Sequence, residues 1–395
     1  MKVRAFLALN CVLSFLMVSL SRPTTATSKP HLVVDDDKVE CPNADFTRIQ
    51  DAVYAATPGA SIRICKGVYV EQVKINKPLD IDADSGAILM PAPIKQNTTS
   101  LFDASPLATA ILVADTTDVS IAGLVVDGTN AGISECSPLL LGITFQNASG
   151  AIQRVTLRNF RLGPGFGGCQ SGLGIFVQSG GGGISRVSID KCTVHDFQKN
   201  GITANEVGTE VTIRGNVVTG IGPTTGAAQN GIQIGFGAGG SIDGNTVSNM
   251  VWSPCVSVKT CAAVATNILV TQSDGVEVTE NTVGISQVGI FVHGNQGEVE
   301  TNETFASSVF DGIRIEGDQG EVRSNHVFNG AEAGVFIAGN NNLVEHNTIT
   351  EAAIGILKAS GSSGNLIQGN RVFGTPIAVQ DPSTSTLSEI ISPVR

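Results

Sequence analysis

Residues 229–248 read QNGIQIGFGAGGSIDGNTVS: Gly-Ile opens one short apolar alternation, and Gly-Asn separates the next two. The same order returns along the chain. Aligned on Gly-Ile or its equivalent, the starts fall at Gly142, Gly174, Gly201, Gly231, Asn267, Gly289, Gly312, Gly334 and Gly355, the last five being 22, 23, 22 and 21 residues apart. A repeat of this size indicates a solenoid. Each repeat holds three alternating runs, GIQI, SID and TVS in the quoted stretch, separated by Gly, Asn and polar turns. Runs of that length and period read as strands. Three strands per repeat predict an all-β protein, a single-stranded right-handed parallel β-helix with three sheets. Helical repeats are excluded because no long run inside the repeats has a 3.6-residue period, and the leucine-rich signature is absent.

The residue at the sharp bend between second and third strands is Asn216, Asn245, Asn281, Asn302, Asn325, Asn347 and Asn370 in turn, with Cys192 and Phe160 assigned to the same slot upstream. Asparagine tolerates the left-handed conformation such a bend requires. Stacked at about 4.8 Å, the amides are expected to bond in a ladder along the axis. The outward column just before the bend runs Arg158, Asp190, Arg214, Asp243, Thr279, Glu300, Arg323, Glu345, Gln368. Its charges alternate in sign, as stacked neighbours should.

The ends and the bulk composition place the molecule. Lys2 and Arg4, an apolar run from Ala5 to Leu20, and small polar residues up to Ala26 have the layout of a secretory leader. Residues 1–26 are therefore read as a signal peptide, 27–43 as an N-terminal arm, 44–378 as the coil with its cap, and 379–395 as an irregular tail. Loss of Lys2, Arg4 and Arg22 with no acid moves the formal charge from −11 to −14. An acidic protein of this kind is a poor partner for nucleic acid or for an anionic membrane. ADFTRIQDAVYAAT (44–57) places Phe46, Ile49, Val53 and Ala56 at helical spacing, as expected of a short helix plugging the N-terminal mouth. In an exported chain the remaining cysteines suggest up to three disulfides. Cys41 and Cys65 bracket the plug, Cys136 and Cys169 lie on successive loops, and Cys255 and Cys261 close one loop.

The stretch ADFTRIQDAVYAATPGASIRICKGVYVEQVKINKPLDI (44–81), together with the coils, resembles secreted right-handed β-helix proteins of the pectin-lyase-like superfamily. That superfamily includes polysaccharide lyases, glycoside hydrolases and mannuronan epimerases, which work in a groove on the outer face of the first sheet. The resemblance implies a fold; activity has to be read from a site.

On that face the register gives a first outward column of Thr144, Phe176, Thr203, Gln233, Leu269, Phe291, Arg314, Phe336, Leu357 and a second of Gln146, Gln178, Asn205, Gly235, Thr271, His293, Glu316, Ala338. His293 and Glu316 stack as a candidate acid/base pair, with Arg314 placed to hold a sugar carboxylate and Phe291 and Phe336 to stack on sugar rings. A solvated structural ion ladder gives the same pattern. Gln178, Asn205 and Gln233 form a neutral polar strip between long walls, one of which carries Trp252 and Lys259, and this strip suits neutral sugars. His195, Asp196 and Lys199 fall in a turn, where such residues are mostly solvated. The calcium-binding, paired-aspartate and Asp-Pro-His-Asp signatures of the superfamily are missing, as is zinc spacing. Expectations are therefore no metal site, no cofactor, calcium remaining possible without a motif for it, and an extracellular polysaccharide as partner. The function is either a secreted polysaccharide lyase or glycoside hydrolase, or a non-catalytic extracellular glycan-binding or surface/structural β-helix protein.

Overall fold

The computed structural model describes residues 31–163, 165–259 and 261–381; the leader at 1–26 and the end of the tail lie outside them. Among the described residues the chain winds as a right-handed parallel β-helix. The Gly-Ile strands form the first sheet, twelve parallel strands with Thr98–Thr99 added antiparallel; the second and third sheets hold 13 and 12 strands. The outward column expected on the first sheet is the pairing observed, Thr144 with Phe176, Thr203, Gln233, Leu269, Phe291, Arg314, Phe336 and Leu357 in succession. Beside it the inward stack Ile143, Ile175, Ile202, Ile232, Ile268, Ile290, Ile313, Val335, Ile356 is fully buried. Burial of each such side chain contributes on the order of 1.5–3 kcal/mol.

Glycine recurs at the start of these strands for want of space. A Cβ on Gly201 would lie 2.6 Å from the carbonyl oxygen of Gly231 and 2.5 Å from Val218 Cγ1, and the other glycines of the column meet the next coil in the same way. Gly201→Ala is therefore expected to cost about 1–3 kcal/mol through overpacking, read as a lower midpoint of chemical denaturation with an unchanged slope.

The asparagines form the expected ladder with one correction. Each donates its backbone N–H and Nδ2 to the Oδ1 of the next, from Asn216 to Asn245 (both 2.9 Å) through to Asn347 and Asn370 (both 2.9 Å). The left-handed residue, however, is the one before each asparagine: Gly215, Gly244, Glu280, Thr301, Ser324, His346 and Gly369. That residue makes the bend, which leaves the asparagine free to turn its amide inward. The register also slips one corner upstream. Thr156 pairs with Thr193 and Arg158 with His195, so Val155 stands above Cys192 in the ladder slot, and Gln153, not Arg158, stands above Asp190. Phe160 belongs to the following corner. The remainder of the charge column is as read, with Arg214 Nε 3.3 Å from Asp190 and Thr279 bonded to Asp243 at 3.0 Å.

The plug is shorter than expected, a helix at Ile49–Ala55. It begins late because Glu71, from the first coil, accepts the amides of Ile49 and Gln50 at 2.7 and 3.0 Å and so occupies the helix start as an N-terminal anion. Phe46 lies outside the helix, bridged to Val34. The arm joins the coil: His31–Val34 pairs with Ala60–Ile64 as the first strand of the second sheet. Cys41–Cys65, Cys136–Cys169 and Cys255–Cys261 are disulfides, and Cys192 is free and buried. Lys358, which points inward at the last coils, reaches Asp381 at 3.0 Å near the C-terminal end.

Candidate functional site

The outer face of the first sheet divides into a covered half and an open half. The hairpin carrying Thr98–Thr99 folds over the N-terminal coils: Thr99 O accepts from Gln146 Nε2 at 2.8 Å, and Gln178 accepts from Leu101 N at 2.9 Å while its Nε2 donates to Ser100 Oγ at 3.2 Å. Gln233 accepts from both Asn200 and Asn230 and donates to Asn205 Oδ1 at 3.0 Å. The neutral strip therefore bonds largely to the protein itself, and of its three amides only Asn205 is partly exposed. Trp252, at the end of strand Thr246–Trp252, packs on the core with Nε1 buried and unpartnered. Its loop is held by Gln287, whose Nε2 donates to the carbonyls of Trp252 and Cys255 at 2.6 and 2.8 Å.

Further down, the strands Val288–His293, Ile313–Ile315 and Ala333–Ile337 bring the charged constellation together. Arg314 is its centre. Its Nε donates to Glu316 at 2.7 Å, its Nη1 to Asp311 at 2.8 Å, and Glu332 lies 3.9 Å from the same Nη1. The guanidinium lies 3.9 Å from the centre of the Phe336 ring, with Phe291 at 5.7 Å and Phe310 at 5.8 Å. A position over aromatic rings suits arginine's weakly hydrated, delocalised charge. His293 is exposed and its ring lies alongside Phe291, centroids 6.3 Å apart at 12°. Among the described residues no hydrogen bond joins His293 to Glu316, whose carboxylate turns to Arg314.

Three carboxylates around one guanidinium set the electrostatics. Asp311 is fully buried with Oδ1 unpartnered, and burial, opposed by Arg314, pushes its pKa up to about 7. Burial also raises Glu332, again against the pull of Arg314. Arg314 is thus committed to groups of the protein, and the surrounding charge is negative, which disfavours an acidic sugar. Sequence reasoning missed Asp311, Glu332 and Phe310. Asp311 sits immediately before Gly312, in a rim column that elsewhere holds Leu173, Asn200, Asn230, Thr266, Val288 and Ala333. A lone acid in that neutral column was the available signal.

Loops running from the third sheet to the first enclose a cleft of about 600 Å³ lined by Thr129, Asn159, Arg161, Phe166, Gln198 and Thr224. The Cys136–Cys169 disulfide ties two of these loops. Beside it His195 Nδ1 lies 2.7 Å from Asp196, which is 3.9 Å from Arg161. Lys199 does not join them: its Nζ donates to Ala228 O at 2.6 Å, and desolvation lowers its pKa to about 8.

Residues 185–388 match the family described as periplasmic copper-binding protein (NosD). A search of curated protein sequences gives no match. Among solved structures the chain is similar to DFA-IIIase from Arthrobacter chlorophenolicus A6 without its lid in complex with GF2, 14% identical over 90% of this chain and 98% of that one, TM-score 0.60. It is also similar to PfbA, a surface adhesin of Streptococcus pneumoniae (13% identical, 89% and 93% covered, TM-score 0.58), and to the GH136 lacto-N-biosidase from Eubacterium ramulus (12%, 89% and 67%, TM-score 0.53). At such identities the likeness is one of fold.

Proposed function

The chain belongs to the family described as periplasmic copper-binding protein (NosD), and from that footing we propose an exported β-helix protein that binds and cleaves a neutral extracellular polysaccharide. Export is supported by three disulfides, which persist in oxidising compartments. No helix of the described residues is long and apolar enough to cross a membrane. Copper does not fit the residues present. The groups of three or more converging ligands among the described residues are Asp35 with Asp37 and Glu40, and Asp35 with Cys41 and Cys65, whose sulfurs are bonded to each other. Neither offers the imidazole or thiolate set that suits copper, and Met250 is buried in the core.

The observation that carries the reading is a single guanidinium holding three carboxylates on the outer face of the first sheet, between phenylalanine rings. Glu332, with its raised pKa, is the proton donor to a leaving glycosidic oxygen; Glu316 is the partner carboxylate that acts on the sugar or on water. Arg314 positions both. His293 and Phe291 form the floor on which a ring stacks. The superfamily resemblance and the two carbohydrate-named enzymes among the fold neighbours support a sugar ligand. The test is release of reducing ends from a panel of neutral and uronate polysaccharides. Wild type is expected to act on a neutral polymer, with Glu316→Gln and Glu332→Gln each losing at least a hundredfold in rate. Activity on uronates alone, or equal activity in both variants, overturns the reading.

The buried, mutually bonded state of Asp311 and Arg314 favours a second reading: a glycan-binding face without turnover, as structural ion networks look alike. A glycan array separates the two, since a pure binder retains a ligand that Phe291→Ala loses while no polymer is cut.

A further inference from the structure

We propose that the N-terminal end of the coil is a binding site for one hard divalent cation, calcium by its chemistry, held by Asp35, Asp37 and Glu40. The residues come from DDDKVEC (35–41), the turn that carries the chain from strand His31–Val34 to the disulfide at Cys41. One oxygen from each carboxylate lies within 4.8 Å of the others. Like charges so close oppose one another unless a cation lies among them.

A separate observation points to a ligand. Asp35 is fully buried; one of its oxygens accepts the amide of Cys41, while Oδ1 has no hydrogen-bond partner. A buried carboxylate oxygen is rarely left without a donor or an ion. The nearby charges do not answer it: Lys66 lies 3.9 Å from Glu40 at the exposed side, and Asp36 is a further acid, engaged by Val68 N at 2.9 Å. The excess of acid extends inward, since burial and then the charges of Asp36, Asp35 and Glu40 all push the Tyr69 phenol upward.

The donor set chooses the ion. Only oxygen is on offer, because the sulfurs of Cys41 and Cys65 are consumed in their bond, so copper and zinc are disfavoured. Magnesium demands near-ideal octahedral geometry and commonly uses one or two carboxylates, whereas calcium accepts an irregular set of several. A bound ion would tie the turn to the buried start of the coil, next to the disulfide and the plugging helix.

Calcium titration of the chelator-stripped, full exported chain tests the site by calorimetry and thermal unfolding. One ion per chain is expected at a Kd of about 10⁻⁴–10⁻³ M, with Tm rising by roughly 3 °C at a hundredfold excess over Kd. Asp37 and Glu40 are exposed, so Asp37→Asn/Glu40→Gln should fold, bind at least tenfold more weakly and lose the rise. A control that neutralises another acidic pair, Glu298→Gln/Glu321→Gln on paired strands of the second sheet, should keep both responses. Absence of binding overturns the proposal. So does equal binding by the Asp37/Glu40 variant, which would mean diffuse attraction to an acidic protein, or a preference for Cu²⁺ or Mg²⁺.

Discussion

Arg314→Leu is expected to destabilise the protein by about 3–5 kcal/mol near neutral pH, the cost of breaking a buried ion pair by removing one partner. The residue left behind is Asp311, fully buried and bonded to Nη1 at 2.8 Å, with Glu332 sharing the same nitrogen at 3.9 Å. The loss should depend on pH. Burial raises Asp311 to about 7 in the folded chain, against about 3.9 when unfolded. A carboxyl raised on folding contributes stability in full below its unfolded value and loses it as pH rises through its folded value. In the variant, without the opposing cation, the folded value moves higher still. Urea unfolding at pH 5 and pH 8 should therefore show the smaller deficit at pH 5, where Asp311 is neutral in the folded state of both chains. An equal deficit at the two values would mean that the loss is one of packing against Phe336.

Asn302→Ala is expected to cost at least 3 kcal/mol, and roughly 3–6 if the coils cannot close up, because several buried groups lose partners at once. The Asn302 amide donates to the carbonyls of Val278 and Glu300 and to Asn325 Oδ1, and its Oδ1 accepts from the backbone and the side chain of Asn281. Asn302→Asp keeps the acceptor but loses the donors and places a charge in a buried stack, so it should be at least as damaging. Equilibrium unfolding decides. A deficit below 1 kcal/mol for Asn302→Ala would mean that water or a neighbouring coil replaces the bonds. The same burial, 1% exposed, withholds this asparagine from any enzyme acting on the folded chain, although Asn302-Glu303-Thr304 spells a glycosylation acceptor.

The coil was legible because its signal is periodic. Isoleucine and valine recur at inward positions and asparagine at one bend, so each coil votes for the same register. The slip at Arg158 and Phe160 shows where voting fails: Arg-Asn-Phe at 158–160 imitates Arg-Gly-Asn at 214–216, since each puts a left-handed residue before an inward-facing one. Only the strand pairing tells the two corners apart. The site was legible in part for the same reason. His293, Arg314, Glu316, Phe291 and Phe336 lie on columns that the repeat fixes. Asp311, Glu332, Gln287 and Glu71 lie in turns or at strand rims, where spacing varies and partners are chosen by approach through space. Gln178 looked open because nothing in its own repeat foretells that Leu101 and Ser100, far back in the chain, come to rest on it.

The bonds from one asparagine to another all run one way, each giving its backbone and side-chain N–H to the Oδ1 of the next coil toward the C-terminus, and the series stops at Asn370. The two ends of the molecule are therefore mechanically unlike. At one, a helix, a disulfide and the carboxylate of Glu71 lock the winding; at the other, Leu366 and Ile377 stand half exposed on the last coil. Tension at the C-terminal end would unspool the chain turn by turn, each turn giving up its own hydrogen bonds before the one behind it is loaded, as thread leaves a bobbin whose far flange is fixed.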